Sequence, residues 1–132
     1  LILISIIKYS QLSNKHWLPP IHARDASVVG VQYIYLSTPE PVPFSVEITN
    51  GAGVPIAGSP FTISQGNPRE ILIGEDQNSL MFCPIRYVNV VNVDRGLILE
   101  GSGEFYVSFR VRSQNHAETL VSKGKSGIGK KF

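Results

Sequence analysis

Cysteine, methionine and tryptophan each occur once in the 132 residues, histidine three times, and no stretch longer than a turn has helical periodicity. A single cysteine excludes an internal disulfide. Cys83 closes the apolar run Leu80-Met81-Phe82-Cys83, where a small buried side chain is expected; the alternative is a disulfide to a part of the protein outside this sequence. Long apolar runs are missing too. Residues 1–7, LILISII, are far too short to cross a bilayer as a helix. A basic stripe is also lacking. Of twelve Lys and Arg, four (Lys123, Lys125, Lys130, Lys131) lie in the tail, leaving eight against ten acidic residues in 1–122, a net −2. A nucleic-acid binder carries its positive charge on the folded body, so no nucleic-acid partner is expected.

What is present is strand alternation. In residues 104–112, Phe105, Val107, Phe109 and Val111 alternate strictly with Tyr106, Ser108, Arg110 and Arg112. Side chains of a strand point to opposite faces with period two, so this segment has a core face and a wet face. Gln114, Asn115 and His116 then form a polar turn, and 118–122 returns as a second, shorter strand. The core face is expected to pack against the strand around Tyr33. A hairpin with one buried side needs a second layer to cover it.

Strand signals recur along the rest of the chain. In VVGVQYIYLS, starting at Val28, both faces are apolar, which predicts a central strand covered on both sides or nearly so. Phe44 to Thr49 predicts a half-buried strand ended by an Asn50-Gly51 two-residue turn. Residues 54–64, with two prolines, suit an edge, and Asn67-Pro68 restarts the chain toward Ile71-Leu72-Ile73. Residues 80–85 predict a strand. The alternation in Val88-Asn89-Val90-Val91-Asn92-Val93 slips one register, as a bulge would. Asp94-Arg95-Gly96 is expected as a hairpin loop returning into 97–100, with positive φ at Gly96. Gly101-Ser102-Gly103 is expected as the next turn. His16-Trp17-Leu18-Pro19-Pro20-Ile21-His22 reads as an extended lead-in, with Trp17, Leu18 and Ile21 on the core and both histidines solvated. Seven or more strands at this spacing indicate an all-β fold, a sandwich or a barrel, and an antiparallel β-sandwich (Ig-like or related) is the expectation.

The domain reading has three parts. Residues 1–10 are expected as the end of a signal-peptide core cut after Ser10, with a buried first strand as the alternative. Residues 11–122 form the β-rich domain. Residues 123–132 are a Gly/Lys-rich connector to a next strand or repeat. With Leu1 first and Met81 the sole methionine, the chain is expected to be a fragment, one repeat of a multi-repeat ectodomain.

No chemistry is selected. Residues 124–131, GKSGIGKK, match the glycine-lysine part of a phosphate-binding loop, but Lys131 stands where Ser or Thr must hold magnesium, and the upstream chain is antiparallel in character. No nucleotide is therefore expected. Asp76-Gln77-Asn78 opens like a calcium loop without its later ligands. His16 and His22 have no third ligand at useful spacing. Gly101-Ser102-Gly103 lacks the five-residue nucleophile elbow, and nothing in sequence pairs Asp25, Glu47, Glu75, Asp76, Asp94 or Glu104 as glycosidase carboxylates. The expectation is a protein that is not an enzyme and takes no cofactor or metal. The outward residues Tyr106, Ser108, Arg110 and Arg112 are of types enriched in binding hot spots, and Tyr106, Arg110 and Arg112 are the candidate ligand-binding residues.

Five segments carry a family likeness: residues 16–20 (HWLPP), 32–39 (QYIYLSTP), 94–100 (DRGLILE), 105–110 (FYVSFR) and 120–124 (LVSKG). In this order they resemble the N-terminal region of large Bacteroidetes surface proteins related to the IgGFc-binding family, spread over about residues 16–132. Those proteins commonly end in a gliding-motility-associated, type IX secretion sorting domain. The resemblance implies export, an extracellular or outer-membrane-surface location and a binding or adhesive role, and assigns no catalytic residue. The expected partners are an extracellular protein or glycan and neighbouring repeats of the same chain. The alternatives are a purely structural stalk or spacer repeat and an accessory domain of a secreted hydrolase.

Overall fold

The computed structural model describes residues 11–22, 29–83, 87, 89–113 and 117–127. Its longest element is a strand of sixteen residues, Leu97–Arg112, and every other part of the main sheet is placed by it. In chain order the strands are β1 (Ser13–Leu18), β2 (Ile21–His22), β3 (Gln32–Ser37), β4 (Phe44–Asn50), β5 (Phe61–Ile63), β6 (Arg69–Gly74), β7 (Phe82–Cys83), β8 (Leu97–Arg112) and β9 (Ala117–Val121).

The two halves of β8 hold different neighbours. Residues 97–101 pair antiparallel with β1 on one edge and β4 on the other. Residues 106–112 pair antiparallel with β3 and β9. The neighbours change over a short interval. Ser13 stands opposite Phe105 but Lys15 opposite Glu100, and on the other edge Gly101 pairs Val46 whereas Tyr106 pairs Ser37. β8 therefore turns a corner between two layers, the way strands that bend let one sheet cover itself. Beyond β4 lies β5, beyond β3 lies β6. These two far edges meet through the Ser64–Asn67 bridge and a hydrogen bond from Arg69 Nε to the Thr62 carbonyl, 3.0 Å. The result is a curled, all-β sandwich-like fold, as the alternation predicts.

The corner falls on Gly101-Ser102-Gly103, and here the expectation of a turn is corrected: these residues stay in the strand. Parity explains how. Leu97, Leu99, Phe105, Val107 and Phe109 all point inward and are essentially inaccessible, and Gly101 and Gly103 hold the two inward positions between them. The ring of Phe44 fills the space that their side chains would take. A Cβ on Gly103 would lie 2.8 Å from Phe44 Cε1, and one on Gly101 would lie 3.1 Å from both Phe44 Cε2 and Phe105 Cε1. Bare backbone on the concave side lets the strand bend without breaking its alternation. Outside the corner, Thr38 Oγ1 donates to the Glu104 carbonyl at 2.6 Å.

The core is one cluster from every layer: Ile34 and Leu36, Val46 and Ile48, Ile63, Ile71, Met81 and Phe82, Leu18, and the inward residues of β8. The expected core face of 105–111 is found, with Phe105, Val107 and Phe109 buried and Val111 half-buried. β3 is that face's hydrogen-bonded neighbour rather than a layer stacked on it.

Other expectations change. The 88–93 strand is not formed: residues 90–93 lie outside any strand, with Val91 88% exposed. The ladder it would have joined is occupied, since both edges of residues 97–101 already carry β1 and β4. Val88 is outside the described residues, as are residues 1–10, Asp25, Val28, Pro84, Ile85, the 114–116 turn and residues 128–132. Gly96 does take positive φ, 77°. Arg95 beside it donates to the Ser79 carbonyl at 2.7 Å, tying down the 76–82 segment. The turn after β4 has three residues, not two: Asn50 N donates to Val54 O at 2.8 Å, and positive φ falls on Gly53. Among the described residues of 80–85, Phe82–Cys83 form a strand, parallel to β2. Trp17 points outward because it shares parity with Lys15, while His16 and Leu18 point inward.

His16 is thus buried, not solvated. Its Nδ1 meets Ser122 Oγ at 2.9 Å, and its Nε2 lies 2.9 Å from the Phe105 carbonyl and 3.2 Å from that of Ser13. Two carbonyls at Nε2 place the proton there, which leaves Nδ1 to accept from Ser122. One ring joins β1 to β8 and to the residue after β9. From Ser122 the chain continues into a 3-10 turn, Gly124–Gly127, laid over β1, with Lys125 Nζ 2.8 Å from Asn14 Oδ1. Among the described residues no buried side-chain nitrogen or oxygen lacks a hydrogen-bond partner.

Two predictions come from this architecture. Valine is a far better strand former than glycine, so Gly103→Val would stabilise an unencumbered strand. Against the Phe44 ring it should instead cost about 1–3 kcal/mol, whereas Ser102→Val, on the outward face, should change stability little; urea denaturation of both variants checks this. For His16, burial lowers the pKa below 6.5, against the opposing pull of the Phe105 and Ser13 carbonyls. The native ring is neutral, and the unfolded ring takes a proton below about pH 6.5. Its contribution to stability is therefore present above that pH and is lost as the pH falls, by at most about 1.4 kcal/mol per pH unit for one proton. Melting curves between pH 7.5 and 5 should show a shallower loss in His16→Gln than in the wild type.

Candidate functional site

The bend in β8 also sorts the outward residues. Even-numbered positions face out, giving Glu100, Ser102 and Glu104 before and at the corner, then Tyr106, Ser108, Arg110 and Arg112 after it. Before the corner, Glu100 stands opposite Glu47 on one edge and Lys15 on the other. Lys15 Nζ meets the Glu100 carboxylate at 2.9 Å and lies 5.7 Å from the Trp17 ring centroid.

After the corner, the pairing registers set whole rows of side chains across the outer surface. Leu72, Tyr33, Arg110 and Thr119 share one row; Glu70, Tyr35, Ser108 and Val121 share the next; Ser37 and Tyr106 form a third. This places the candidate residues Tyr106, Arg110 and Arg112 on one face, with Arg110 at its centre. Tyr106 stands four residues from Arg110, roughly 14 Å along the strand, and does not join the central group.

The central group is Tyr33, Tyr35, Arg110 and Glu70. The two tyrosine rings are 6.2 Å apart between centroids, tilted by 55°. The Arg110 guanidinium carbon lies 4.6 Å from the centroid of Tyr35, within reach of a cation–π attraction. Glu70 stands opposite Tyr35 in the pairing of β3 with β6; its side chain, through hydrogen bonding first, then desolvation and the carboxylate charge, raises the Tyr35 phenol above its ordinary 10.0 although Arg110 opposes the shift. Among the described residues neither Arg110 nor Arg112 has a carboxylate within ion-pair distance.

The tyrosines were not expected here. VQYIYLS reads as apolar on both faces, so β3 was expected to be covered on both sides or nearly so. In the structure Ile34 and Leu36 are buried, whereas Tyr33 and Tyr35 are only half-buried. β3 is central in its hydrogen bonding, between β6 and β8, yet its outer face is open. The available signal was the shared parity of the two tyrosines.

Other places offer less chemistry. An open groove of about 400 Å³ between the end of β1 and β9 is lined mainly by Trp17, Leu18, Ile21, Met81 and Leu120, with Lys123 its one ionisable group among the described residues. A second hollow follows the 74–79 loop, whose backbone is pinned by buried Gln32, with Nε2 donating to the Asp76 carbonyl at 2.7 Å and Oε1 accepting from Ser79 Oγ. Among the described residues no three His, Cys, Asp or Glu side chains come together as metal ligands. Cys83 is half-buried and accepts from Asn92 Nδ2 at 3.4 Å.

Fold and face together define the class: an all-β, sandwich-like domain whose second layer shows an open aromatic and basic surface. No protein-family model matches the chain, and no curated protein or solved structure shows significant similarity to it.

Proposed function

We propose that this chain is a non-catalytic binding or adhesion module of a secreted bacterial protein, displayed outside the cell, with the outer face of β3 and β8 as its ligand surface. One observation carries the reading. Arg110 is exposed, stacked on Tyr35 and unpaired with any carboxylate among the described residues. Stacking lowers the entropy lost when the guanidinium engages a ligand, and its N–H edge stays open. Arg and Tyr are the residues that most often dominate binding energetics. The likeness to Bacteroidetes surface proteins of the IgGFc-binding family, exported by type IX secretion, points the same way. The partner is then an extracellular protein or glycan, or a neighbouring repeat.

The test is the Arg110→Ala, Arg112→Ala double variant, assayed for adhesion to cell surfaces beside its melting curve. Because the Arg110–Tyr35 contact is exposed, its loss should cost no more than about 1 kcal/mol. The expected result is reduced adhesion with a nearly unchanged melt. Unchanged adhesion would remove this face from the function, and a large loss of stability would assign the arginines to packing between repeats.

A further inference from the structure

Resting on the binding-module reading, we infer that the Tyr33–Tyr35–Arg110 surface takes an anionic polysaccharide, a chain of sugar rings bearing carboxylate or sulfate groups. Three features of the face select that chemistry.

The first is the pair of half-exposed tyrosines. Positions 33 and 35 are one strand repeat apart, roughly 7 Å, which suits successive rings of an extended saccharide. The C–H face of a pyranose packs against an aromatic ring, removing apolar surface from water while its hydroxyls stay at the rim. Here Arg110 rests over the Tyr35 ring and the Tyr33 ring lies 6.2 Å from that of Tyr35, so the cation is held in place beside the half-exposed Tyr33 ring before a ligand arrives. The second feature is the hydroxyl content of the surrounding rows: Ser37, Tyr106, Ser108 and Thr119 surround the platform. Hydroxyl groups that both donate and accept suit the same property in a sugar.

The third feature is charge. The outward positions of β8 are acidic up to the corner, at Glu100 and Glu104, and basic beyond it, at Arg110 and Arg112. Glu47 adds a further carboxylate beside Glu100. A negatively charged chain is therefore repelled from the first half of the strand and drawn to Arg110 and Arg112 on the second, on the side of the face away from the Glu70 carboxylate opposite Tyr35. Arginine holds carboxylate and sulfate in the same bidentate fork, so either group fits. An acidic peptide is the weaker match. Peptides are usually held by strand addition at a sheet edge or by pockets for anchor side chains, whereas the platform is an open sheet face.

The experiment is equilibrium binding to four immobilised polysaccharides: polygalacturonate and its methyl ester, dextran sulfate and dextran. Each pair differs only in the anionic group. Binding is expected to the charged member of at least one pair and not to its neutral partner; which pair responds identifies carboxylate or sulfate. Affinity should fall about tenfold or more in Arg110→Ala, and should also fall in Tyr33→Ala, which keeps every arginine. Tyr33→Ala with full affinity would reduce the contact to charge attraction alone and overturn the sugar platform. Equal binding to polyglutamate would overturn it in favour of an acidic peptide. If no polysaccharide binds while cell adhesion still depends on Arg110 and Arg112, the ligand class is wrong and the ligand face stands. If adhesion does not depend on them either, the binding-module reading fails too.

Discussion

The contact between the Phe44 ring and the bare backbone of Gly101 and Gly103 is what the rest of the domain depends on. A sixteen-residue strand with side chains at every inward position would run straight on and cover only one side of a core. With two of those positions empty, the concave side can fold over an aromatic ring. The strand then enters a second layer with its parity intact. Glycine in a strand interior ordinarily weakens it, having no side chain to pack; here a side chain from the neighbouring strand supplies the missing volume. Phe44 begins β4 opposite Ile63 of β5, and two residues later Val46 opens the pairing of β4 with the first half of β8, opposite Gly101.

From that corner the remaining structure is a matter of which edges stay open. β1 and β4 take the first half of β8, and β3 and β9 take the second. His16 spans the point where β1 gives way to β9, and its neutral ring is set by the groups it meets: two carbonyls at one nitrogen and a serine hydroxyl at the other. The outer face of β3 and β8 is the functional counterpart of the same geometry. Because β8 keeps its alternation through the corner, its acidic outward residues lie before the corner and at its end, Glu100 and Glu104, and its basic ones on the second layer, Arg110 and Arg112. The guanidinium of Arg110 thereby meets the tyrosines of β3 rather than the Glu47 carboxylate of β4.

Much of this was legible from residue order, and the failures have physical causes. Strict alternation from Phe105 to Val111 places the core face and, by the same parity, Arg110 and Arg112 on the wet one. Gly101-Ser102-Gly103 was misread because glycines around a serine ordinarily mark a turn, and whether they bend or break a strand depends on Phe44, more than fifty positions earlier. Residues 88–93 have strand composition but no free ladder to join, a competition invisible to local pattern. His16 is buried through parity with Leu18, a parity that local pattern hides because two nearby prolines mark the segment as an extended lead-in with Trp17 and Leu18 both on the core. The outer face of β3 is ambiguous in sequence because tyrosine is apolar enough to be buried and polar enough to be left in water.

The most direct measurement of the central claim is a set of proton–proton nuclear Overhauser effects along residues 97–112. An unbroken strand over a filled corner predicts strong sequential contacts from each α proton to the next amide through Gly101, Ser102 and Gly103. It also predicts contacts between the Gly103 α protons and the Phe44 ring, and cross-strand contacts to β4 before the corner and to β3 after it. Strong amide-to-amide contacts at Ser102 and Gly103, with no contact from either glycine to the Phe44 ring, would mean that the chain turns there and would contradict the account.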